Sequence, residues 1–203
     1  PAFTMDASSK NQLRQRLRQQ RRDLPVATQR RAAKRLLQQL RKLPEFRRAR
    51  HIALYSASDG EISTNEVLRY CQQRGKVCYL PVIHRDTKQA QMRFHRPDPG
   101  QTLRSNTFNI PEPNALRRRQ IDPARLDMML LPLVGFDRRG NRLGMGGGYY
   151  DRALAFKQRR NAANTPLLIG LAHHLQEVER LPIQHWDIPL DWVATDREIF
   201  AAR

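Results

Sequence analysis

The chain has 203 residues, 39% of them hydrophobic, and it contains no apolar run near the roughly 20 residues that a membrane-spanning helix requires. This composition excludes a membrane protein and predicts a single globular domain over residues 1–203, with residues 1–8 as a flexible segment. The formal net charge of +18 favours a polyanionic partner, but it does not choose between nucleic acid, an anionic membrane and a small polyanion. Because the N-terminus lacks a secretion signal, we expect a cytoplasmic protein, and we expect a monomer.

The two cysteines, Cys71 and Cys78, lack the Cys-x-x-Cys spacing of metal and redox sites, so we expect two reduced thiols. His173 and His174 show no zinc-ligand spacing with these cysteines, which argues against a zinc site.

The N-terminal part of the chain predicts two basic amphipathic helices. Leu13 and Leu17 lie one helical turn apart among Arg, Lys and Gln within residues 9–22, and Thr28 is a good N-cap for a second helix.

The middle of the chain predicts a strand-helix-strand unit. Residues 51–55 have the pattern of a strand, residues 63–66 (Ser-Thr-Asn-Glu) that of a capping box, and residues 76–83 that of a second strand. Such a unit normally has parallel strands. Further on, we predict a short exposed strand at residues 91–95 and a loop that wraps over one face at residues 97–113. Two buried strands follow at residues 127–134 and 167–172, with a helix at residues 149–157 between them. The expected fold is a three-layer, Rossmann-like α/β domain, in which helices flank a mostly parallel sheet.

The residues from Gly140 to Asp151 form a glycine-rich turn that leads from a buried strand into a helix. Glycines allow backbone N–H groups to approach an oxyanion, so this context suits a phosphate, although a long tight turn without a ligand explains the spacing equally well. A P-loop is excluded because no Gly-Lys-Ser/Thr is present, and a dinucleotide fingerprint fails because Tyr149 stands at its third glycine.

Three further segments carry carboxylates. Asp151 lies in the first turn of the predicted helix, where it either interacts with the helix dipole or holds Mg²⁺ beside a phosphate loop. Asp59-Gly-Glu61 follows the first strand, where open α/β sheets bind ligands and where a solvated turn is the alternative. Residues 185–192 mix carboxylates with aromatic residues and are explained equally well by a packed loop.

Residues 131–137 and 140–151 resemble the signature of the 5-formyltetrahydrofolate cyclo-ligases, also called methenyltetrahydrofolate synthetases. Features similar to that family recur in order over essentially the whole chain, at residues 10–14, 61–64, 92–94, 108–113, 171–172 and 186–191. The chain departs from some members at Gly147, where they carry a basic residue, and Arg142 or Arg152 would then supply the cation.

The resemblance implies an enzyme that uses ATP to cyclise 5-formyltetrahydrofolate, with a reduced folate and ATP as its partners and Mg²⁺ as its cofactor. With this function we expect no nucleic-acid partner and no membrane partner. It implies that the ATP-binding residues are Lys10, Arg14, Arg142, Leu143, Gly144, Met145, Gly146, Gly147, Gly148, Tyr149 and Tyr150. The implied folate-binding residues are Ser56, Glu61, Met145, Gly146, Gly147, Gly148 and Tyr149. Asp151 and Asp187 match the positions associated with the metal, and Arg142 and Asp151 are the expected catalytic residues.

In the implied reaction, ATP phosphorylates the formyl oxygen, folate nitrogen 10 attacks the activated carbon, and phosphate leaves. No protein nucleophile is required, which agrees with the absence of a serine or cysteine nucleophile motif from the sequence. Two alternatives from other classes stay open at this point. The charge alone supports a nucleic-acid-binding protein, and the scaffold also suits another ATP-dependent small-molecule enzyme.

Overall fold

A computed structural model of the chain describes residues 7–84, 91–98, 100–107, 109–113, 116–158, 166–184 and 186–202. Of the predicted flexible segment, residues 1–8, the first six residues lie outside the described ranges. In the described ranges the α-helices are α1 (Ala7–Arg22), α2 (Val26–Leu40), α3 (Pro44–Arg48), α4 (Asn65–Gln73) and α5 (Tyr149–Leu154). Short 3₁₀ helices occur at Arg117–Arg119, Pro123–Arg125, Ala155–Gln158 and His174–Gln176.

An eight-stranded sheet forms the centre of the molecule, in the order β12-β11-β10-β7-β1-β2-β3-β6. The strands are β1 (His51–Ala53), β2 (Val77–His84), β3 (Gln91–His95), β6 (Gln120–Ile121), β7 (Met128–Pro132), β10 (Leu167–Leu171), β11 (Trp192–Ala194) and β12 (Ile199–Ala201). The five strands from β11 to β2 are parallel, and antiparallel pairings occur only toward the two edges. Two small hairpins pair β4 (Arg104–Ser105) with β5 (Pro111–Glu112) and β8 (Gly135–Phe136) with β9 (Arg142–Leu143).

Alternate side chains of the central strands pack on opposite faces of the sheet, and this creates three layers. Ile52, Met128 and Leu130 belong to a cluster with side chains of α2, α3 and α4, whereas Ala53 and Met129 belong to a second cluster that includes Leu154 of α5. The strand β7, which has neighbours on both sides, is the nearly unbroken apolar run expected of a central parallel strand. The predicted three-layer, mostly parallel α/β fold is therefore confirmed.

The structure corrects three local predictions. Helix α2 begins at Val26 with Pro25 at the N-cap, so Thr28 lies inside its first turn. The capping box at residues 63–66 does not form, because the N-cap is Thr64 and its hydroxyl donates a hydrogen bond to the carbonyl of Tyr55 instead. The strand at residues 91–95 is not exposed, because β3 pairs on both sides and Phe94 and His95 are buried.

Both cysteines are free and buried, as predicted. A hydrogen bond joins the two thiols; it lowers the pKa of Cys71 and raises that of Cys78. No described helix is both long enough and apolar enough to cross a lipid bilayer.

Candidate active site

The candidate site lies where the order of the sheet reverses. From β1 the chain passes through α4 to β2 on one side, whereas β7 is followed by β10 on the other side. The carboxyl ends of β1 and β7 therefore flank a topological switch point, which is where open α/β sheets bind ligands. Helix α1 covers this end of the sheet, with Leu13 and Leu17 packed against Val134, Leu143 and Leu181.

A fully buried arginine, Arg21, connects these elements. Its guanidinium donates hydrogen bonds to the carbonyl of Asp59 at 2.8 Å, to the carboxylate of Asp59 at 2.9 Å and to the carbonyl of Leu133 at 3.0 Å. Asp59 follows β1 and Leu133 follows β7, so one side chain from α1 joins the loops at both strand ends. A Cβ atom at Gly60, which has a φ of +74°, would lie 2.9 Å from the Arg21 carbonyl oxygen, so this close approach requires glycine.

Asp59 is the acceptor for three arginines of α1. Besides Arg21, Arg18 and Arg22 direct their Nε atoms at its carboxylate, at 2.7 and 2.6 Å. Partial burial acts to raise the pKa of Asp59, but the hydrogen bonds from Arg18 and Arg21 hold it below its usual range. The turn after β1 is therefore not the solvated turn that the sequence left open, but an anchored part of the site.

Glu61 lies deeper in the same turn, and only 11% of its side chain is exposed. Its carboxylate accepts a hydrogen bond from the Ser58 backbone N–H at 3.0 Å and lies 3.7 Å from the Arg21 guanidinium. Burial nevertheless raises the pKa of Glu61, because the arginine, which also serves Asp59, does not offset the loss of water. Glu61 is thus a desolvated acceptor with spare hydrogen-bonding capacity.

The negative charge of Glu61 affects the pKa of two tyrosines. Burial raises the pKa of Tyr55 and of Tyr150, and the negative charge of Glu61 raises both further. Tyr55 follows β1, whereas Tyr150 belongs to the glycine-rich segment, so the sequence-predicted residues Glu61 and Tyr150 are brought together. Ser56 donates a hydrogen bond to the carbonyl of Pro111 at 2.8 Å, which places the predicted covering loop beside the turn that follows β1.

The glycine-rich loop extends from the β8–β9 hairpin, whose stem is held by the fully buried Asp137. The carboxylate of Asp137 accepts hydrogen bonds from the backbone N–H groups of Arg139, Asn141 and Leu181 and from the Asn141 side chain. Beyond this fixed stem, the residues of the loop tip are exposed: Gly144, Met145, Gly146 and Gly147. The loop therefore presents accessible backbone groups on a rigid base.

Arg14 connects α1 to this loop. Its Nε donates a hydrogen bond to the Gly144 carbonyl at 2.9 Å, and its guanidinium lies beside Gly146. Lys10 is half-buried one helical turn earlier, on the same face of α1. Of the two predicted phosphate-binding cations, Arg14 thus contacts the predicted nucleotide loop, and Lys10 lies one turn away on the same helix.

Arg142 interacts with the charges of both aspartates that the resemblance associates with a metal. Its guanidinium forms an ion pair with Asp151 and donates a hydrogen bond to the carbonyl of Ile188. Burial lowers the pKa of Arg142, while the negative charges of Asp151 and Asp187 oppose that shift. Asp187 is itself fixed in a turn, where its carboxylate accepts the Gln184 N–H at 2.8 Å. Asp151 is therefore a counter-ion as well as the first-turn carboxylate of α5.

Gly147, which stands where some family members carry a basic residue, has little space for a side chain. A Cβ atom at Gly147 would lie 2.8 Å from Cε2 of Tyr149, so a basic side chain here would require the tyrosine ring to move. The guanidinium of Arg152 lies 4.9 Å from the centroid of that ring. Arg152 thus lies against the ring that a side chain at position 147 would displace.

Oxygen donors suited to Mg²⁺ are present at this end of the sheet. Asp151 and Asp187 offer carboxylates, which are the ligands that Mg²⁺ takes in small number while phosphate oxygens and water complete its shell. Within the described ranges, the one cluster of three metal-capable side chains is a different one, His174, Glu177 and Glu198, and there both glutamates form ion pairs with Arg138. Within the described ranges, this cluster contains no cysteine.

The sequence missed Arg21, although a signal was present. Leu13, Leu17 and Arg21 recur at four-residue intervals on one helical face, so an arginine occupies a position of the apolar stripe. A charged residue at such a position is seldom buried without specific partners. Its partner Asp59 was noted only as part of a turn.

Comparisons with known proteins give a consistent result. The sequence model of the 5-formyltetrahydrofolate cyclo-ligase family matches residues 6–196. A 5-formyltetrahydrofolate cyclo-ligase of Haemophilus influenzae is 39% identical over 186 residues, covering 92% of this chain and 97% of that protein. The enzyme of the same name from Escherichia coli K12 is 35% identical over 184 residues, covering 91% of this chain and 98% of the other.

Solved structures agree. The NMR structure of Aquifex aeolicus 5,10-methenyltetrahydrofolate synthetase superposes with a TM-score of 0.79 at 30% identity, covering 96% of this chain and 93% of that one. The 5,10-methenyltetrahydrofolate synthetase of Mycoplasma pneumoniae gives a TM-score of 0.70 at 26% identity, covering 95% of this chain and 99% of the other.

The raised pKa of Glu61 predicts how stability depends on pH. A carboxyl whose folded pKa exceeds its unfolded value contributes stability below the unfolded pKa, and that contribution is lost as pH rises through the folded pKa. Glu61→Gln has no charge to desolvate, so its stability relative to the wild type should increase from about pH 4 to about pH 8. Urea unfolding across this range measures the difference. Glu66→Gln, at an exposed ion pair with Arg69, serves as the control and should show little change. If the stability of Glu61→Gln relative to the wild type falls with rising pH, the pKa of Glu61 is not raised in the folded protein.

Proposed function

The chain belongs to the 5-formyltetrahydrofolate cyclo-ligase family, and from this premise we propose how its site uses ATP to convert 5-formyltetrahydrofolate into 5,10-methenyltetrahydrofolate, with release of ADP and phosphate. The observation that carries the proposal is the meeting of two walls at the switch point of the sheet. One wall is the turn with Glu61, and the other is the glycine-rich loop held by Arg14.

The Glu61 wall is suited to the pterin ring of the folate. That ring presents two adjacent N–H donors, and a single carboxylate can accept both. Because burial has already removed most of the water around Glu61, its carboxylate can accept hydrogen bonds from the pterin without first losing strong hydrogen bonds to water. Ser56 lines the same wall, and the later residues of the loop, from Met145 to Tyr149, complete the folate site in this proposal.

The loop wall is suited to ATP. Residues 142–150 present backbone N–H groups to the phosphates, and Lys10 and Arg14 add positive charge along the same edge. Two cations are candidates to replace the basic residue that some relatives carry at the position of Gly147: Arg142, which is paired with Asp151, and Arg152, which lies beside the Tyr149 ring.

Asp151 and Asp187 are the proposed ligands of Mg²⁺, which when bound would neutralise phosphate charge during transfer of the terminal phosphoryl group. Asp151 holds Arg142, so the same carboxylate also orients a catalytic cation. Asp187, fixed by its own turn, offers the second carboxylate, and its negative charge also acts on Arg142.

Catalysis in this site requires positioning and charge stabilisation and no protein nucleophile. The two walls bring the formyl oxygen to the terminal phosphate of ATP, and Arg142 stabilises the charge that develops on the phosphoryl oxygens. Once the formyl oxygen is phosphorylated, folate nitrogen 10 attacks the same carbon, and inorganic phosphate leaves with that oxygen. A cytoplasmic location, a monomeric state, and the absence of nucleic-acid and membrane partners stay predictions from the sequence.

The activity itself is tested by turnover. We expect formation of the methenyl chromophore from 5-formyltetrahydrofolate to require ATP and a divalent cation and to release one ADP and one phosphate for each product. An undiminished rate with ATP omitted would refute the activity. ATP hydrolysis that does not depend on the folate would favour another ATP-dependent enzyme on this scaffold.

Glu61→Gln should weaken folate binding while ATP binding is kept. An amide offers one acceptor and one donor to two pterin donors, so the loss should be about 1–3 kcal/mol, the usual effect of a buried polar mismatch. Calorimetry with each substrate measures both affinities. Unchanged folate affinity would remove Glu61 from the folate wall.

Asp151→Asn distinguishes a metal ligand from a counter-ion. If Asp151 holds Mg²⁺, turnover should fall by orders of magnitude and more Mg²⁺ should be needed for half-maximal rate, because charge stabilisation by a metal is worth several kcal/mol. If Asp151 only pairs with Arg142, the melting temperature should fall while the Mg²⁺ dependence stays as in the wild type. The measurement is turnover against Mg²⁺ concentration, with melting temperatures measured alongside.

Asp187→Asn should show a milder defect of the same kind, because Asp187 does not directly adjoin the loop. Glu66→Gln, which removes a carboxylate from an exposed ion pair on α4, is the matched control. Normal Mg²⁺ dependence in both aspartate variants would withdraw the metal assignment.

A further inference from the structure

A second concave site lies at the other end of the sheet. Helix α2 ends at Leu40, α3 follows, α4 ends at Gln73, and Lys76 directly precedes β2, so these segments meet near the amino ends of β1 and β2. They enclose a cavity of about 710 Å³, a size typical of small-molecule sites. Its lining consists of Gln38, Arg41, Lys42, Arg47, Tyr70, Arg74 and Lys76.

The lining carries five cations and no carboxylate. Within the described part of the chain, none of these five forms an ion pair, although other arginines such as Arg18, Arg22 and Arg138 do. The positive charges therefore converge on the cavity without a counter-charge from the protein.

Helix ends explain only part of this charge. Lys76 donates hydrogen bonds to the carbonyls of Arg47 and Ala49 after α3, and Lys42 donates to the Gln39 side chain. The C-terminal end of each of the three helices carries the equivalent of about half a negative charge. Together these ends offset well under half of the five cations, so a strongly positive site remains.

The arginines are preorganised around one ring. The guanidinium groups of Arg41 and Arg74 lie 5.5 and 5.6 Å from the centroid of Tyr70, and Phe46 stacks on the same ring with its centroid at 5.9 Å. Guanidinium groups held in this way lose less entropy on binding an oxyanion and can bind it with two hydrogen bonds each. Because Phe46 and two guanidinium groups already lie near the Tyr70 ring, less of that ring is available for a nucleobase to stack on, which disfavours single-stranded nucleic acid.

We propose that this cavity binds a compact, multiply charged phosphate compound, at a site separate from the ATP and folate walls. The ligand class follows from the cluster of guanidinium and ammonium groups that have no carboxylate partner, from the volume of the cavity and from the aromatic ring that Phe46 and two arginines already approach. The proposal does not depend on the reaction catalysed at the switch point, because no residue of that site lines the cavity.

Tyrosine resonances separate the two sites. The chain has five tyrosines, of which Tyr70 lies in the cavity while Tyr149 and Tyr150 lie at the glycine-rich loop. The protein is labelled with ¹³C on its tyrosine rings and titrated with inorganic tripolyphosphate, and Tyr70→Phe assigns the resonance. We expect the Tyr70 resonance to shift in a saturable manner. A resonance that does not move while those of Tyr149 and Tyr150 do would overturn the proposal.

A matched pair of double variants tests the residues. Arg41→Gln with Arg74→Gln should weaken binding at Tyr70 by about tenfold or more, because charge-assisted hydrogen bonds are lost. Arg30→Gln with Arg31→Gln removes the same charge from exposed positions of α2 outside the cavity and should change the affinity by no more than about twofold. Should the first pair fail to fold, the single change Arg47→Gln provides the same comparison. Equal weakening by cavity and control variants would reduce the effect to net charge and overturn the proposal.

A random-sequence RNA is titrated in parallel. If RNA shifts the Tyr70 resonance and both variant pairs weaken its binding alike, the cavity belongs to a diffuse nucleic-acid surface and the proposal fails. Tripolyphosphate binding that is stronger than RNA binding, and that is sensitive only to the cavity arginines, would support it.

Discussion

The buried guanidinium of Arg21 is the interaction on which the architecture of the site depends. Desolvating an arginine is costly unless its donors are satisfied, and here they are satisfied by the loops that follow β1 and β7. Hydrogen bonds from Arg18 and Arg22 to the same Asp59 add to this connection. The position of α1, the conformation of the turn at Gly60 and the burial of Glu61 are therefore not independent features, because each requires the others.

This arrangement also separates rigid from accessible parts. The carboxylate of Asp137 fixes the stem of the glycine-rich loop, while the tip stays exposed and is held to α1 by Arg14. A loop that binds a polyanion must present its backbone groups without collapsing, and the buried aspartate makes that possible at a distance from the ligand. The burial of Glu61 has a cost in stability as well, because the protein does not fully replace the water that its carboxylate loses. The same burial leaves that carboxylate with unused capacity to accept hydrogen bonds in the proposed site.

The sequence predicted the layers and the parallel centre of the sheet because those features depend on local pattern. The proposed site residues came from the resemblance to the family and stay predictions. Apolar runs at β7 and β10 and the switch between helical and strand periodicity are local properties. The N-cap of α2 was misplaced because Pro25 competes with Thr28 for the start of the helix. Burial of β3 was missed because it comes from pairing with β6, which lies far along the chain. Similarly, the Arg142–Asp151 ion pair and the contact of Arg14 with Gly144 depend on tertiary neighbours, which spacing alone does not reveal.

The packing of α1 has a consequence for how the enzyme fails under stress. Leu13 and Leu17 belong to a small cluster distinct from the two large clusters on the faces of the sheet. Local opening of a helix with so small an apolar contact requires less free energy than unfolding of the whole domain. Because α1 carries Arg14 and Arg21, which hold the glycine-rich loop and the turn after β1, its detachment would disassemble both walls of the proposed site while the sheet and its flanking helices stay intact. Thermal inactivation should therefore precede loss of the global fold, and amide exchange in α1 should be faster than in β7.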